Sequence, residues 1–558
     1  MLKKHTILIL TVLLVFSVLL AGCREEELEE EQIEQIATLL EDDSLIEGFV
    51  EFKGLVEEIN SNEVQEEFID EFFALLDDQD FPLRGDDKLI FLYRADDAVD
   101  KVEFASDLNL WQREEMVQIS DSSLYYKNLE LNREISFNYL FWVDEQAEID
   151  QLNTNIVASR YFEELNNLES NDYQTPDYWK LESEQQGDLV VADNYQYYLP
   201  VDYNSEQEYA LLYFIGGGYL ESGAIQNTLD NLNQKDKLNN HLAVFVDDMA
   251  LEGRELNFLL SEITQTLAED YSISAAPEDH YLISYGNYAN QLVDLVINNY
   301  DEYKNLLLQS PEFYSLPELS DEADDINIYL DWGEFIHSQN SAMNLDFVHL
   351  LQENDFNYRA LVHPSGNQWS NWRANIYYGL EYLLGENELT VEKEELIISD
   401  DFTTTDSIYF PDGENDSCLV TRGEGSYNLE FNDSQSIEID NYRFKNFELS
   451  MELVELEGNF GFTILGENDY TILKDTSEKK IYLSSLNEDV FEEVSFSDGF
   501  NLERIEIISE GDELKFLINN ILMDDLTIEQ NSSKQIAFIG SAGTEVAIDN
   551  IKIIEQLN

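Results

Sequence analysis

Cysteine and histidine, which act as nucleophiles, general bases and metal ligands, are scarce in this chain. The 558 residues include two cysteines and six histidines, and no two histidines have the spacing of a metal site on a helix. The histidines beyond residue 22 are His241, His280, His337, His349 and His363. Carboxylates are so frequent that a catalytic pair would arise by chance, and no phosphate-binding or calcium-binding loop has its required residues. We therefore expect no metal and no cofactor.

The residues that could still carry chemistry lie at the ends of predicted strands in the middle of the chain. Residues 185–392 alternate apolar runs of strand length with segments of helix length, which predicts an α/β domain with a doubly wound parallel sheet. One predicted strand, 209–215, ends at three glycines, and another, 281–284, ends at Tyr285-Gly286-Asn287.

The order of several segments in this region resembles the esterase D and enterochelin esterase branch of the α/β-hydrolases. The matching segments are Tyr213-Phe214-Ile215-Gly216-Gly217-Gly218-Tyr219, Thr228-Leu229-Asp230, Val244-Phe245-Val246-Asp247, Gln309-Ser310-Pro311-Glu312-Phe313 and Trp369-Ser370-Asn371-Trp372-Arg373. The resemblance implies a carboxylic-ester hydrolase whose serine lies in a G-x-S-x-G elbow between a strand and a helix, with an acid and a histidine on later loops. It also implies that the three glycines form the turn on the oxyanion side.

The chain departs from that pattern at two positions that catalysis requires. Asn287 stands at the serine position, within Tyr285-Gly286-Asn287-Tyr288-Ala289, and Asn367 stands at the histidine position shortly before Trp369. An amide is not a nucleophile for acyl transfer and cannot move protons near neutral pH. Glu334 is the carboxylate nearest to the expected acid position, and without a histidine it has nothing to orient.

Other residues near these turns could in principle act in place of the missing groups. His363 lies four residues before Asn367, but its position in an apolar run predicts a strand residue rather than a base. Ser284 precedes the elbow on the buried strand, and Ser310 belongs to a matched segment. We expect both serines to be structural.

Three hypotheses follow for this domain. The first, favoured by the loss of two separate catalytic positions, is an inactive esterase-like protein that binds a glycan or another small ligand at the cell surface. Its retained cleft would be lined by Gly217, Gly218, Tyr219, Tyr288 and Trp369. The second is an active carboxylic-ester hydrolase that uses other residues. The third is a structural or adhesive protein with no ligand in this domain, which an elbow filled by Tyr285 and Tyr288 would favour.

The regions on either side predict further domains. Helical spacing within 36–84 predicts a helical subdomain, and short strands within 85–165 predict a β-sandwich that resembles the early-set immunoglobulin-like modules of enterochelin-esterase-like proteins. Residues 398–558 predict an all-β sandwich that resembles the laminin-G or concanavalin-like fold. These resemblances imply sugar binding, for which Trp111 is a candidate platform. The alternative for Trp111 is a buried sandwich tryptophan.

The first residues have the features of an export signal. Two lysines precede an apolar stretch, 7–20, which is too short to span a membrane and ends in Leu20-Ala21-Gly22-Cys23. This ending resembles the lipobox of bacterial lipoproteins, which implies lipidation of Cys23. We therefore expect a signal peptide at 1–22, an acidic spacer at 23–35, and a protein anchored to a membrane outside the cytoplasm. Simple cleavage and an uncleaved anchor are the alternatives.

Acidic residues are distributed over the whole chain. The 117 aspartates and glutamates exceed the 30 lysines and arginines so far that the net charge is −87, which excludes nucleic-acid binding through a basic surface. Self-repulsion of this size destabilises a compact state unless salt screens it. We therefore expect adaptation to high salt, with a merely acidic secreted protein as the alternative. Once Cys23 is lipidated, Cys418 has no partner for an intrachain disulfide.

Overall fold

The computed structural model describes most of the chain from residue 45 to residue 557. The residues that it leaves undescribed within this range are 77–80, 86–87, 96–97, 132, 171–172, 181–185, 252–253, 321–324, 386–394, 401–412, 415–417, 424–425, 433–434, 439–441, 466–468, 476, 486–487, 496–501, 511–512 and 528–532. The predicted signal peptide, Cys23 and the acidic spacer lie outside the described residues. Within the described part, no helix combines the length and the apolar character needed to cross a membrane.

The described part of the chain contains both helices and strands, numbered in chain order. The helices are α1 (Leu45–Glu58), α2 (Asn62–Leu75), α3 (Ile225–Gln234), α4 (Asp248–Leu251), α5 (Leu256–Asp270), α6 (Ala289–Asn298), α7 (Ser338–Glu353) and α8 (Trp369–Leu384). The first eighteen strands are β1 (Leu83–Arg84), β2 (Lys88–Arg94), β3 (Val102–Ser106), β4 (Glu114–Glu115), β5 (Val117–Gln118), β6 (Leu124–Glu130), β7 (Ser136–Val143), β8 (Gln146–Glu148), β9 (Ile156–Ala158), β10 (Glu164–Glu169), β11 (Asp188–Val191), β12 (Gln196–Leu199), β13 (Ala210–Ile215), β14 (His241–Val246), β15 (His280–Tyr285), β16 (Asn305–Gln309), β17 (Asn327–Phe335) and β18 (Asn357–Gly366). The C-terminal strands are β19 (Glu395–Asp400), β20 (Gly413–Glu414), β21 (Cys418–Gly423), β22 (Ser426–Phe431), β23 (Gln435–Glu438), β24 (Phe447–Glu457), β25 (Phe460–Leu465), β26 (Tyr470–Asp475), β27 (Lys480–Ser485), β28 (Glu488–Ser495), β29 (Arg504–Glu510), β30 (Glu513–Ile518), β31 (Ile521–Thr527), β32 (Gln535–Gly540) and β33 (Thr544–Gln556).

Helices α1 and α2 pack an aromatic face against the first sheet, which has the order β1-β2-β6-β5. Phe49 and Phe52 recur at helical spacing on α1, and the ring of Phe52 stacks on Phe72 of α2 at a centroid distance of 4.0 Å. All three side chains are buried together with Ile90 and Leu92 of β2. Full burial of each such side chain contributes about 1.5–3 kcal/mol, so packing against the sheet stabilises these short helices.

Strands β1–β10 form a two-layer β module. The first sheet faces a second group of strands around β7, and the aromatic rings of Phe91, Phe104 and Tyr139 fill the space between them. Trp111 of this module has a left-handed backbone, with φ of 63°, and its half-buried ring packs on Phe162 at 5.7 Å. This packing agrees with a structural role for Trp111.

The middle of the chain folds into an α/β unit around a mainly parallel sheet. Its strand order is β11-β12-β14-β13-β15-β16-β17-β18, in which β13 to β18 are parallel and β11 and β12 are antiparallel. The central strands are buried along their whole length, because α5, α6 and α7 cover one face of the sheet and α3 and α8 cover the other. The predicted α/β region and its parallel sheet are therefore present.

The β module and the α/β unit share one continuous sheet. Strand β18 pairs in parallel with β7 at a single position, Ser365 opposite Ser136. At the last residue of β18, Gly366, the carboxyl group of Asp107 lies so close that an added Cβ atom would fall 2.1 Å from Asp107 Cγ. The N-terminal module is thus packed against the carboxyl edge of the parallel sheet, where the predicted site lies.

The C-terminal region is β-rich, as the sequence predicts, and forms two sheets of nine and six strands. Alternating residues of their strands are buried, including Phe460 and Phe538, whose rings lie 6.1 Å apart. Glu555 of β33 is fully buried and lies 2.9 Å from His349 Nε2 of α7, while it also accepts hydrogen bonds from the backbone N–H groups of Lys445 and Asn446. This carboxylate therefore connects the C-terminal sheets to the α/β unit.

Candidate functional site

The predicted elbow is a turn between a buried strand and a helix. Strand β15 ends at Tyr285, a short 3₁₀ turn covers Gly286–Tyr288, and α6 follows directly. Gly286 has a left-handed backbone with φ of 62°, whereas Asn287 is exposed at the surface. Ser284 is buried and donates a hydrogen bond to the carbonyl of Ile215 at 2.7 Å. Ser284 is therefore structural, as expected.

A loop of the N-terminal β module covers this elbow. The loop joins β9 to β10, and its Arg160 donates from Nη1 to Glu312 Oε1 at 2.6 Å. The backbone N–H of Glu312 in turn donates to the carbonyl of Gly286 at 2.9 Å. A Cβ atom built on Gly286 would lie 2.5 Å from Arg160 Nη1. The space into which a side chain at position 286 would project is therefore occupied by a guanidinium group that is held in an ion pair.

The three glycines after β13 lie beside the elbow, as predicted. Gly216 and Gly218 have φ of 106° and 88°, conformations that glycine adopts without strain. A Cβ atom on Gly218 would fall 2.6 Å from Cζ2 of Trp369, so only glycine allows this ring to approach. The carbonyl of Gly217 accepts a hydrogen bond from the Tyr285 hydroxyl at 2.7 Å. The backbone here is used to pack aromatic rings rather than to leave an open oxyanion pocket.

Aromatic side chains fill the space between the glycine turn and the elbow. The Tyr285 ring stacks on Trp372 at 4.4 Å and meets Trp369 edge-on at 5.0 Å, and Tyr219 lies 5.5 Å from both Tyr285 and Trp369. The Tyr288 hydroxyl donates a hydrogen bond to the Asp248 carboxylate. Burial raises the pKa of Tyr285 to about 12, so its phenol is neutral near pH 7 and is not a general base. The five predicted cleft residues do meet here, but the cleft contains their own rings.

The segment at the predicted histidine position is anchored to the same covering loop. Asn367 follows directly after β18, and its Oδ1 atom is buried without a hydrogen-bond partner within the described residues. The next residue, Gln368, accepts hydrogen bonds through Oε1 from the Ser159 hydroxyl at 3.2 Å and from the Arg160 backbone N–H at 3.4 Å. None of these side chains is a base that can exchange a proton near neutral pH.

The predicted acid is paired with a cation of the β module. Both carboxylate oxygens of Glu334 accept hydrogen bonds from Nη2 of Arg133, at 2.6 and 2.5 Å, and the Glu334 side chain is buried. Glu334 therefore serves as an ion-pair partner between the α/β unit and the N-terminal module.

A second carboxylate, which no sequence motif indicated, lies closer to a histidine. Asp331 is fully buried on β17, and its Oδ2 atom lies 3.6 Å from Nε2 of His363 and accepts a hydrogen bond from Tyr329 at 3.1 Å. The His363 ring stacks on Tyr378 at 5.8 Å. The nearby Ser310 hydroxyl is buried and accepts a hydrogen bond from Trp372 Nε1. This cluster lies inside the protein and offers no accessible nucleophile.

The described residues also contain no group of three or more histidine, cysteine, aspartate or glutamate side chains arranged to hold a metal ion. Cys418, the one cysteine in that part of the chain, is buried, and burial raises its thiol pKa to about 11. A thiol with such a pKa is a poor nucleophile near neutral pH because little of it is ionised.

No protein-family model matches the chain, and no curated protein matches it in sequence. Solved esterase structures are similar to it. The ferric enterobactin esterase of Salmonella typhimurium has a TM-score of 0.44 and 14% identity, over 53% of this chain and 93% of its own. The enterobactin esterase of Shigella flexneri has a TM-score of 0.45 and 14% identity, over 54% and 94%. A ferulic acid esterase of the anaerobic fungus Anaeromyces mucronatus has a TM-score of 0.32 and 16% identity, over 37% and 94%. Which reaction or ligand this chain supports therefore depends on the side chains of its own candidate site.

Proposed function

We propose that this protein is a binding protein with an esterase-like fold that does not hydrolyse esters. One observation carries the proposal. Two alignments of the nucleophile position are possible. The order of the sequence motifs places the nucleophile at Asn287, whereas the left-handed backbone places the tip of the elbow at Gly286. With either assignment, the residue at the nucleophile position carries no hydroxyl or thiol, and Arg160 fills the space beside Gly286.

The surroundings of the elbow support the same proposal. The histidine position carries an amide, the predicted acid is bound to Arg133, and the tyrosines between these groups are hydrogen-bonded or packed. A filled elbow also favours the second candidate function, in which the α/β unit is a structural or adhesive element. The two candidates agree that ester hydrolysis is absent and differ in whether the protein binds a ligand elsewhere.

Hydrolysis of p-nitrophenyl acetate and butyrate in molar KCl tests the loss of catalysis. The mature wild-type protein is expected to match the salt blank, and turnover well above the blank would refute the proposal. Two engineered proteins, Asn287→Ser/Asn367→His and Gly286→Ser/Asn367→His, test the two registers of the elbow, with Asn287→Ser alone as the matched control. Activity in only one double variant would identify which position corresponds to the nucleophile.

We further propose that the protein acts outside the cytoplasm, attached to a membrane through lipid on Cys23. The short apolar segment that ends in Leu-Ala-Gly-Cys supports this location. Labelled fatty acid supplied to producing cells should be incorporated into the wild type and lost in Cys23→Ser. Equal labelling of both proteins would contradict the anchor.

A further inference from the structure

A polar pocket of about 190 Å³ lies between the N-terminal β module and the α/β unit. Its walls include Ser136 and Asn167 from the β module and Ser365, Asn371 and Arg373 from the end of β18 and the first turns of α8. At about 30 Å³ per water molecule, the pocket has room for roughly six waters or for one small polar molecule in their place. The elbow residues do not line it, so the pocket differs from the predicted esterase cleft.

Three buried polar atoms on residues that line this pocket have no hydrogen-bond partner among the described residues. They are Oγ of Ser365, Nδ2 of Asn371 and Nε1 of Trp179. Ser365 and Asn371 are only 2% and 3% exposed. A buried polar group without a partner costs about 1–3 kcal/mol, and folded proteins rarely leave several of them together. A bound molecule would supply the missing partners.

A cation in the same wall has no carboxylate partner within the described part of the chain. The guanidinium of Arg373 lies 3.9 Å from the centre of the Trp179 ring, and Lys180 lies 5.3 Å from that ring. The Arg373 guanidinium forms no hydrogen bond or ion pair with any described residue, whereas Arg94, Arg133, Arg160 and Arg504 are each paired with carboxylates. The Arg373 charge therefore lies in the pocket wall with no carboxylate partner among the described residues.

We propose that this pocket binds the carboxylate of a small hydroxylated acid, with Arg373 as the residue that recognises it. The side-chain N–H groups of Arg373, Asn371 and Trp179 that have no partner among the described residues can only donate hydrogen bonds, so the ligand has to supply acceptors. A carboxylate offers two oxygens in the geometry that matches the fork of a guanidinium. The Ser365 hydroxyl, which both donates and accepts, can bind a ligand hydroxyl. The charged groups of the lining are Arg373, Lys180 and Glu169, which leaves one net positive charge.

Two further features agree with an anionic ligand. Burial lowers the pKa of Arg373, an effect that the charge of Glu169 opposes. Its charge is therefore partly removed from water without a direct partner, which an anion would relieve. Part of the lining is already fixed, since Asn167 donates from Nδ2 to the Ser136 hydroxyl at 3.1 Å and Glu169 accepts a hydrogen bond from Thr175. The pocket is thus largely formed before any ligand binds.

This inference rests on the proposed binding function and specifies its site and ligand class. The same carboxylate chemistry can come from a free hydroxy acid or from the end of an acidic glycan. Calorimetric titration of the complete mature chain in molar KCl with glucuronate, with oligogalacturonate and with neutral glucose separates these sources. We expect oligogalacturonate to bind, either alone or together with glucuronate. We expect glucose to bind at least about ten-fold more weakly than the acid that binds. Binding of glucuronate at the same strength as the oligomer indicates a free acid.

Arg373→Gln should weaken binding of the acidic probe at least about ten-fold. Arg254→Gln, which removes an arginine outside the pocket at 3.9 Å from Glu262, should leave it unchanged. Ser365→Ala is a second pocket variant in case Arg373→Gln does not fold, and it should also weaken binding. No binding of either acid, or equal binding by wild type and the pocket variants, overturns the inference. That failure differs from failure of the proposed function, which would show as ester turnover by the wild type.

Discussion

Arg160 and Glu312 form an ion pair of 2.6 Å across the junction between the N-terminal β module and the α/β unit. Glu312 is also bonded through its backbone N–H to the carbonyl of Gly286, so the pair fixes the covering loop directly over the elbow. The guanidinium lies where a side chain at position 286 would project. The N-terminal module therefore occupies the space beside Gly286, whereas Asn287 remains exposed.

Adding a methyl group at Gly286 should destabilise the protein. Gly286→Ala places an L side chain in the left-handed region and pushes it against Arg160 Nη1, which together should cost about 1–2 kcal/mol. Gly217→Ala is the matched control, because that glycine lies in the same site but has no positive φ, and its nearest neighbour to an added Cβ is at 3.7 Å. Urea unfolding in molar KCl measures both.

The contribution of Arg160 can be separated from that of the backbone. In an Arg160→Ala background the added methyl group meets no guanidinium, so Gly286→Ala should cost less there than in the wild type. Equal costs in the two backgrounds would show that Arg160 does not occupy the space beside Gly286.

The packed aromatic group at the elbow should contribute strongly to stability. Trp372 is buried, stacks on Tyr285 and donates to the Ser310 hydroxyl at 3.0 Å. Trp372→Ala should therefore lower the free energy of unfolding by about 3–5 kcal/mol. Tyr314→Ala removes an aromatic side chain that is 81% exposed, and should change it by less than about 0.5 kcal/mol. A small effect at Trp372 would mean that the elbow is loosely packed and can open.

The sequence was sufficient to predict the α/β unit because its strands are long apolar runs that end in glycines or polar turns. It did not predict β16, whose core is only Leu306, Leu307 and Leu308, since a short apolar run has no periodicity that distinguishes strand from helix. It also did not predict α7, in which buried Asn344 and His349 interrupt the apolar pattern. The β-rich C-terminal region was predictable from alternating residues in many short strands.

The sequence showed which residue types lie at the elbow, but it did not predict which residues of other modules contact them. Arg160 lies in a loop of a different module, and no local pattern connects it to Gly286. The ion pair of Glu334 with Arg133 and the proximity of Asp331 to His363 also depend on tertiary structure. Asp331 could have been noticed as a carboxylate inside an apolar strand, which is a rare position for a charged group.

Salt should stabilise the folded protein. At a net charge of −87, repulsion between carboxylates is strong in dilute buffer, and the Debye length falls from about 10 Å at 0.1 M salt to about 3 Å at 1 M. The melting temperature should therefore rise clearly between these two KCl concentrations. A melting temperature that does not change with KCl would contradict adaptation to high salt.

The stability of the junction at Gly366 should also depend on pH through Asp107. Burial raises the pKa of Asp107 to about 7, although the backbone and side-chain N–H groups of Asn138 donate to its carboxylate at 2.7 Å and oppose this effect. An unfolded aspartate ionises near pH 4, at about 3.9. Between these values the folded chain binds a proton that the unfolded chain has released, so this group's contribution to stability decreases as the pH rises and stays low above pH 7. The side chain at position 107 does not titrate in Asp107→Asn, and its amide oxygen can still accept both hydrogen bonds from Asn138.

Urea unfolding of wild type and Asp107→Asn at pH 5 and pH 8, in molar KCl, measures this effect. The stability of the variant relative to wild type should increase by about 2–3 kcal/mol from the lower to the higher pH. The general effect of the acidic surface cancels in this difference, because both proteins carry it. Asp301→Asn, at an exposed position, is the control and should show the same pH profile as wild type. Parallel profiles for Asp107→Asn and wild type would mean that Asp107 is ionised in the folded protein at pH 5, in spite of its burial against Gly366.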